Sequence, residues 1–285
     1  MLKHGGPGEQ TLQCMEIWGG FEPVQRTVAT PGLDLWVFSQ PFGGDEQGGD
    51  VYYVTLCGGG LITRIVVADV SGHGSSVAEF SSSLRSLLRK NINQKSQNRL
   101  VERLNRQFAE MAEMQRFATA LVITYLASTG RLSVCNAGHP RPLYYQAGEN
   151  KWSMLSPRAG SRDDDGNLPL GLDESTRYQT FDLMLGPGDL AVFYTDALTE
   201  AADPSGKLLG ESGLVAVASQ LDLTTSNPGA IGSALLAAVG RHRGSASAED
   251  DVTMIVLHHN AQGPRRLSAA QKVDVYAKVF GLKSV

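Results

Sequence analysis

Four aspartates sit where apolar runs meet turns: Asp50, Asp69, Asp196 and Asp250. Asp50 follows Gly48-Gly49 and opens Val51-Tyr52-Tyr53-Val54. Asp69 closes the run 65–68 and precedes Val70-Ser71-Gly72-His73-Gly74. Asp196 ends the run 190–195, and Asp250, with Asp251 beside it, opens the run 252–257. A carboxylate at the end of a buried strand is costly unless it is paired, hydrogen-bonded or bound to a metal. No lysine or arginine adjoins these positions in a pattern that suggests four separate salt bridges. If the strand ends converge, the result is an all-oxygen site, which suits Mg²⁺ or Mn²⁺ rather than zinc. Taken singly, each aspartate is more often a structural turn or cap residue than a ligand. The surrounding elements have to decide.

Those elements follow from hydrophobic periodicity. Strands are predicted over 33–39, 50–56 and 61–70, the last rich in β-branched residues. Val77, Phe80, Leu84, Leu87 and Leu88 recur at helical spacing, as do Leu100, Leu104, Phe108 and Met111. They predict paired helices over 75–90 and 99–114. These could pack on the core or serve dimerisation, and periodicity alone does not separate the two. Strands return over 119–126 and 131–136, joined by Ser128-Thr129-Gly130, then over 178–185, 190–194 and 252–258. Helices are predicted over 214–221 and 230–239, the second weakened by Gly232. Hairpin-linked strands with helices in blocks argue for an α+β layered sandwich, not an alternating βαβ fold. Neither an internal repeat nor a dividing linker is evident. The expected organisation is an N-terminal extension over 1–28 with a short docking segment, one domain over 29–260, and a helical tail over 261–285.

Composition excludes several classes. A net charge of -4 leaves no basic surplus for binding nucleic acid. Cys14, Cys57 and Cys135 are widely spaced, so neither a zinc site nor a disulfide framework is expected; small buried hydrophobes are. No signal-peptide pattern or membrane-length apolar run is present, and the expected location is the cytoplasm. The run Asp163-Asp164-Asp165 lies in a polar stretch and reads as a solvated loop or a substrate-facing flap.

Six motifs occur in order: Gly48-Gly49-Asp50; Asp69-Val-Ser-Gly-His-Gly74; Asn136-Ala-Gly-His-Pro140; Leu168-Pro-Leu-Gly-Leu172; Pro187-Gly-Asp189 leading to Tyr194-Thr-Asp-Ala197 and Glu200; and Asp250-Asp-Val-Thr253. Over roughly residues 33 to 258 the chain resembles the bacterial branch of the metal-dependent PPM (protein phosphatase 2C) family. Stage II sporulation phosphatases and sigma-factor stress regulators typify that branch. Each motif is weak alone, whereas six in order are specific.

The resemblance implies a four-layer α/β/β/α sandwich with two central antiparallel sheets. It also implies protein serine/threonine phosphatase activity with two Mn²⁺ or Mg²⁺ ions. Asp69 would span both metals, with the Val70 carbonyl as a further ligand. Asp50 would help hold the second metal directly or through water, and Asp196 and Asp250 would complete the first. Asp251 is the reserve candidate. A water activated by the two ions would attack phosphorus in line, with no covalent phospho-enzyme. The implied partner is a phosphorylated regulatory protein such as an anti-sigma antagonist, and no sensor domain is expected within this length.

Two departures stand out. Relatives mostly carry glycine where this chain has Ala197, and a positive φ there would strain the turn. Eukaryotic members place a histidine where this chain has Ser71. His73 and His139, each in a glycine-flanked turn, are expected to fix their loops, with a general-acid role for His73 left open. Two other classes remain in view. An inactive phosphatase-like binding module is favoured only by Ala197, and a metal-dependent nuclease lacks any basic track.

Overall fold

The apolar runs near 65–68, 119–126 and 252–257 are buried on both faces, which only a strand between two covering layers achieves. The computed structural model describes residues 15–18, 23–57, 60–72, 75–92, 94, 96–111, 116–157, 168–224, 227–244 and 246–263. The elements, in order, are β1 Met15–Trp18, β2 Val24–Thr30, β3 Leu33–Gln40, β4 Asp50–Cys57, β5 Ile62–Val70, α1 Ser75–Asn91, α2 Gln97–Met111 and β6 Ala118–Leu126. They continue with β7 Arg131–Ala137, β8 Leu143–Gln146, β9 Lys151–Met154, β10 Phe181–Met184, β11 Leu190–Tyr194, α3 Gly210–Ala218, α4 Pro228–Arg243 and β12 Val252–His259.

Among the described residues two six-stranded sheets result, ordered β1-β4-β5-β6-β7-β10 and β2-β3-β12-β11-β8-β9. Neighbouring strands pair antiparallel throughout. Because side chains alternate across a strand, each central strand feeds two cores. On β5, Ile65 and Val67 face the other sheet, while Val66, Ala68 and Val70 pack under α1 and α2. On β12, Ile255 and Leu257 join the inter-sheet core, while Met254 and Val256 lie under α3 and α4. Helix pair, sheet, sheet, helix pair: the expected four-layer sandwich is the fold.

The differences from expectation have local causes. The boundary expected near residue 28 falls inside β2, which pairs along β3, while β1 pairs with β4, so both segments extend the sheets. β2 is largely solvent-exposed along its length and therefore carries little apolar alternation. β8 and β9 are four residues each, too short to show a period. α4 starts earlier than expected because Asn227 caps it, accepting from Gly229 N and Ala230 N, with Pro228 in the first turn. Gly232 is needed there: a Cβ would come within 2.3 Å of the Trp36 ring, so only glycine lets α4 lie this close to β3. The stripes of α1 and α2 pack against the first sheet, except Met111 at the end of α2, which is exposed. Cys135 is fully buried in that core, where burial pushes its thiol up to about 12. Cys14, His73, Asp163–Asp165 and the tail beyond residue 263 lie outside the described residues.

Candidate active site

The four aspartates come from two sheets in two pairs. Asp50 at the start of β4 is in register with Asp69 near the end of β5. In the other sheet, β11 delivers Asp196 just beyond Tyr194, and the partner strand β12 begins at Val252 just after Asp250. Thr195 N donates to the Thr253 carbonyl at 3.0 Å, closing that pair of strand ends. One hydroxyl then joins the sheets: Thr195 Oγ1 donates to Asp50 Oδ2 at 2.9 Å. Thr195 Oγ1 in turn accepts from Thr253 N at 3.0 Å.

Asp251 makes the second tie. Its Oδ1 accepts from Phe42 N at 2.7 Å, and its Oδ2 accepts from Gly49 N at 2.5 Å and Asp50 N at 3.3 Å. Both oxygens accept backbone donors, so Asp251 ties the start of β12 to the start of β4. Gly48 permits this approach, since a Cβ there would fall 2.2 Å from Asp251 Oδ2. Gly49 clears the space in front of Asp69: a Cβ there would stand 3.2 Å from the Val70 carbonyl oxygen and 3.5 Å from Asp69 Oδ1.

The electrostatics are one-sided. Burial pushes the Asp69 carboxyl up to about 7, and the nearby charges of Asp196, Asp250, Asp251 and Glu200 push the same way. Asp196 rises to about 6 through burial, then Glu200 and Asp250. Asp50 is raised well above the usual carboxylate range by burial and by Asp69, with hydrogen bonds from Thr253 and Thr195 opposing. Asp250 is raised by burial and Asp251, against a backbone hydrogen bond. Among the described residues, no arginine or lysine acts to lower any of the four. Nor, among those residues, do three His, Cys, Asp or Glu side chains close on a single point as they stand. Hard divalent cations also take carbonyl and water oxygens, so carboxylate pairs with the Val70 carbonyl fit that chemistry. Glu200 belongs to this field although it is not among the expected ligands. Its place four residues after Asp196, within the same motif, is the available signal.

The two departures resolve locally. Ala197 sits in a 3₁₀ turn over Asp196–Leu198, and the non-glycine residues with positive φ among those described are Asn150 and Ala261. Alanine is therefore unstrained. Arg243 at the end of α4 donates to the Ala197 carbonyl at 3.2 Å and steadies the turn that carries Asp196. Ser71 docks its loop on the start of β6: Ser71 Oγ accepts from Phe117 N at 3.1 Å and Ser71 N donates to Phe117 O at 2.9 Å. His139 is buried, and its Nδ1 lies 2.8 Å from Thr119 Oγ1 in a hydrogen bond. Burial pushes it down to about 4, so it is neutral near pH 7. The Asn136 side chain closes the same turn, bonding both His139 N and His139 O at 2.7 Å.

The family model described as stage II sporulation protein E (SpoIIE) matches residues 61–260. The chain belongs to that family. It is 26% identical over 180 residues to the phosphoserine phosphatase RsbU of Bacillus subtilis, covering 62% of this chain and 49% of RsbU. It thus spans about half the length of that relative. The RsbU and RsbW domains of Rv1364c from Mycobacterium tuberculosis superpose with a TM-score of 0.69 at 24% identity, covering 92% of this chain and 73% of that one. The catalytic domain of the serine/threonine protein phosphatase PstP, solved with two manganese ions, gives 0.53 at 15% identity, covering 79% and 97%. No helix among the described residues is long and apolar enough to cross a membrane.

Proposed function

We propose that this chain is a metal-dependent protein serine/threonine phosphatase, acting in the cytoplasm on phosphoserine or phosphothreonine of a regulatory protein. The observation that carries the reading is that four strand-end aspartates from two sheets are buried within one another's repulsive field, with no lysine or arginine among the described residues lowering any of them. Family membership and the phosphoserine phosphatase activity named for RsbU support it.

Asp69 and the Val70 carbonyl would hold Mn²⁺ or Mg²⁺. Asp196 and Asp250 would complete one ion's ligands, and Asp50 would serve a second ion directly or through water. Such ions, when bound, acidify water and offset charge on the phosphoryl oxygens. The chain's own residues do the arranging. Thr195 holds Asp50 by one oxygen. Asp251 keeps the Gly49 and Asp50 amides turned toward itself. Asp69, held at about 7, would have to be deprotonated to hold a cation, so metal affinity should rise with pH. His139 is neutral and bonded to Thr119, so it is a turn anchor rather than the proton donor. The substrate class, a phosphorylated protein such as an anti-sigma antagonist, rests on the family.

The test is hydrolysis of a small aryl phosphate and a phosphoserine peptide with Mn²⁺, with Mg²⁺ and with EDTA, for wild type and Asp196→Asn. Turnover that needs the metal and falls at least about 100-fold in the variant is expected. A folded protein with no turnover in any metal refutes the reading.

A further inference from the structure

A groove of about 580 Å³ opens beside the acid site, between β3, α4 and the segment leading into β12. Its apolar wall includes Phe38, Phe42, Leu236 and Val239, and its polar end is Arg243 and Asp250. Phe42 is 50% exposed, a large apolar ring open to solvent at the groove's edge. We propose that this groove is a specificity subsite that receives an aliphatic or aromatic side chain flanking the phosphorylated residue of the protein substrate. The proposal rests on the phosphatase reading and deepens it.

Continuity argues for this occupant. Asp250 is at once a wall of the groove and a member of the aspartate cluster. An extended peptide advances about 3.4 Å per residue, so residues close to a phosphoserine held at the cluster would overlie the groove. Both walls are also hydrogen-bonded to the site. Phe42 N donates to Asp251, and Arg243 donates to the Ala197 carbonyl next to Asp196. A side chain seated here is thereby fixed relative to the carboxylates that would do the chemistry, which is how remote binding contributes to turnover.

The charge pattern agrees. On the other side of Arg243 and Asp250 a second cavity, about 650 Å³, is lined by Glu200, Asp203 and Glu249. Substrate residues facing that side would meet acidic groups, so the apolar preference belongs to the first groove alone.

The experiment uses the full chain with Mn²⁺ and phosphoserine peptides that differ only in carrying Leu or Ser at each flanking position, for wild type, Phe42→Ala and Leu236→Gln. In wild type, Leu at one flanking position should lower KM about tenfold relative to Ser, the scale of one well-fitted apolar side chain. Either variant should raise KM for the Leu peptide about five- to tenfold. Both should keep KM for the Ser peptide and aryl phosphate hydrolysis within about twofold. A Leu preference that survives both variants, or no flanking preference in an active wild type, overturns the proposal. So does an equal gain for all substrates in the variants, which would mean that the tail or a second copy of the chain fills the groove. Absence of aryl phosphate hydrolysis in wild type refutes the phosphatase reading instead. In that event, anisotropy of labelled, non-hydrolysable phosphonate peptides still decides whether the groove selects Leu and loses that selection in Phe42→Ala.

Discussion

Replacing Asp69 by asparagine should remove the centre of the proposed metal site and, in the absence of metal, make the protein more stable at neutral pH. Asp69 is held at about 7, against an ordinary 3.8, by burial and then by Asp196, Asp250, Asp251 and Glu200. A carboxyl whose pKa is higher in the folded chain than in the unfolded one binds its proton better when folded. Its stabilising contribution is complete below about pH 4 and is lost as pH rises through 7. At 1.36 kcal/mol per pH unit, the interval corresponds to roughly 4 kcal/mol by pH 7.5. That is large beside a total stability of about 5–15 kcal/mol. Asparagine has the same shape and no charge, so Asp69→Asn should match wild type near pH 3 and exceed it by about 2–4 kcal/mol at pH 7.5. The comparison must be between the two proteins. His139, pushed down to about 4, works in the opposite direction over part of this range but is common to both. Urea unfolding followed by tryptophan fluorescence in EDTA reads the difference, and Mn²⁺ should reverse it by stabilising wild type alone. If Asp69→Asn in EDTA is less stable than wild type at pH 7.5, the account of a repulsive, cation-demanding cluster is wrong.

Two further substitutions separate roles around the site. Asp251→Ala strands three backbone donors, those of Phe42, Gly49 and Asp50. With charge-assisted bonds at about 1.5–3 kcal/mol each and partial relief by water, it should cost about 3 kcal/mol in urea unfolding even in EDTA. A loss below about 0.5 kcal/mol would deny Asp251 this tying role. Ala197→Gly should leave kcat within about twofold and lower stability by about 0.5–1 kcal/mol, because the alanine is already unstrained. A large rise in kcat would show that the alanine does distort the Asp196 turn.

The central strands were legible because they are buried on both faces: β5, β6 and β12 appear as unbroken apolar runs whose ends fall within a residue of expectation. The edges were not. β2 exposes most of its residues and β1, β8 and β9 are four residues each, so pairing with a neighbour, not side-chain pattern, makes them strands. For the site, the residue types at strand ends were readable and the order of motifs made them specific. What a linear pattern could not show was the cross-sheet wiring. Thr195 reaches Asp50 across 145 positions of sequence, and Asp251 reaches Gly49 across 202. Glu200 stands within a motif yet outside the expected ligand set: it is exposed, and its charge reaches Asp196 only through the fold of the turn that separates them by four residues.

Asp250 and Asp251 show why adjacency in sequence says little about role. Successive residues entering a strand point to opposite sides, so two neighbouring carboxylates meet different surroundings. Asp251 turns toward the start of β4, where Gly48 and Gly49 offer amides and no side chains, and both its oxygens are bonded there. Asp250 turns toward Asp196 and Asp69, where its charge raises both. One acid accepts from three backbone amides, while the other accepts from the Asp251 amide at 2.8 Å and is raised by burial and by Asp251. The pair therefore couples fold to function. The carboxylate proposed to bind a metal is carried on the strand end whose next residue fastens the two sheets together, so the spacing between the Asp50–Asp69 half and the Asp196–Asp250 half is set by hydrogen bonds within the protein.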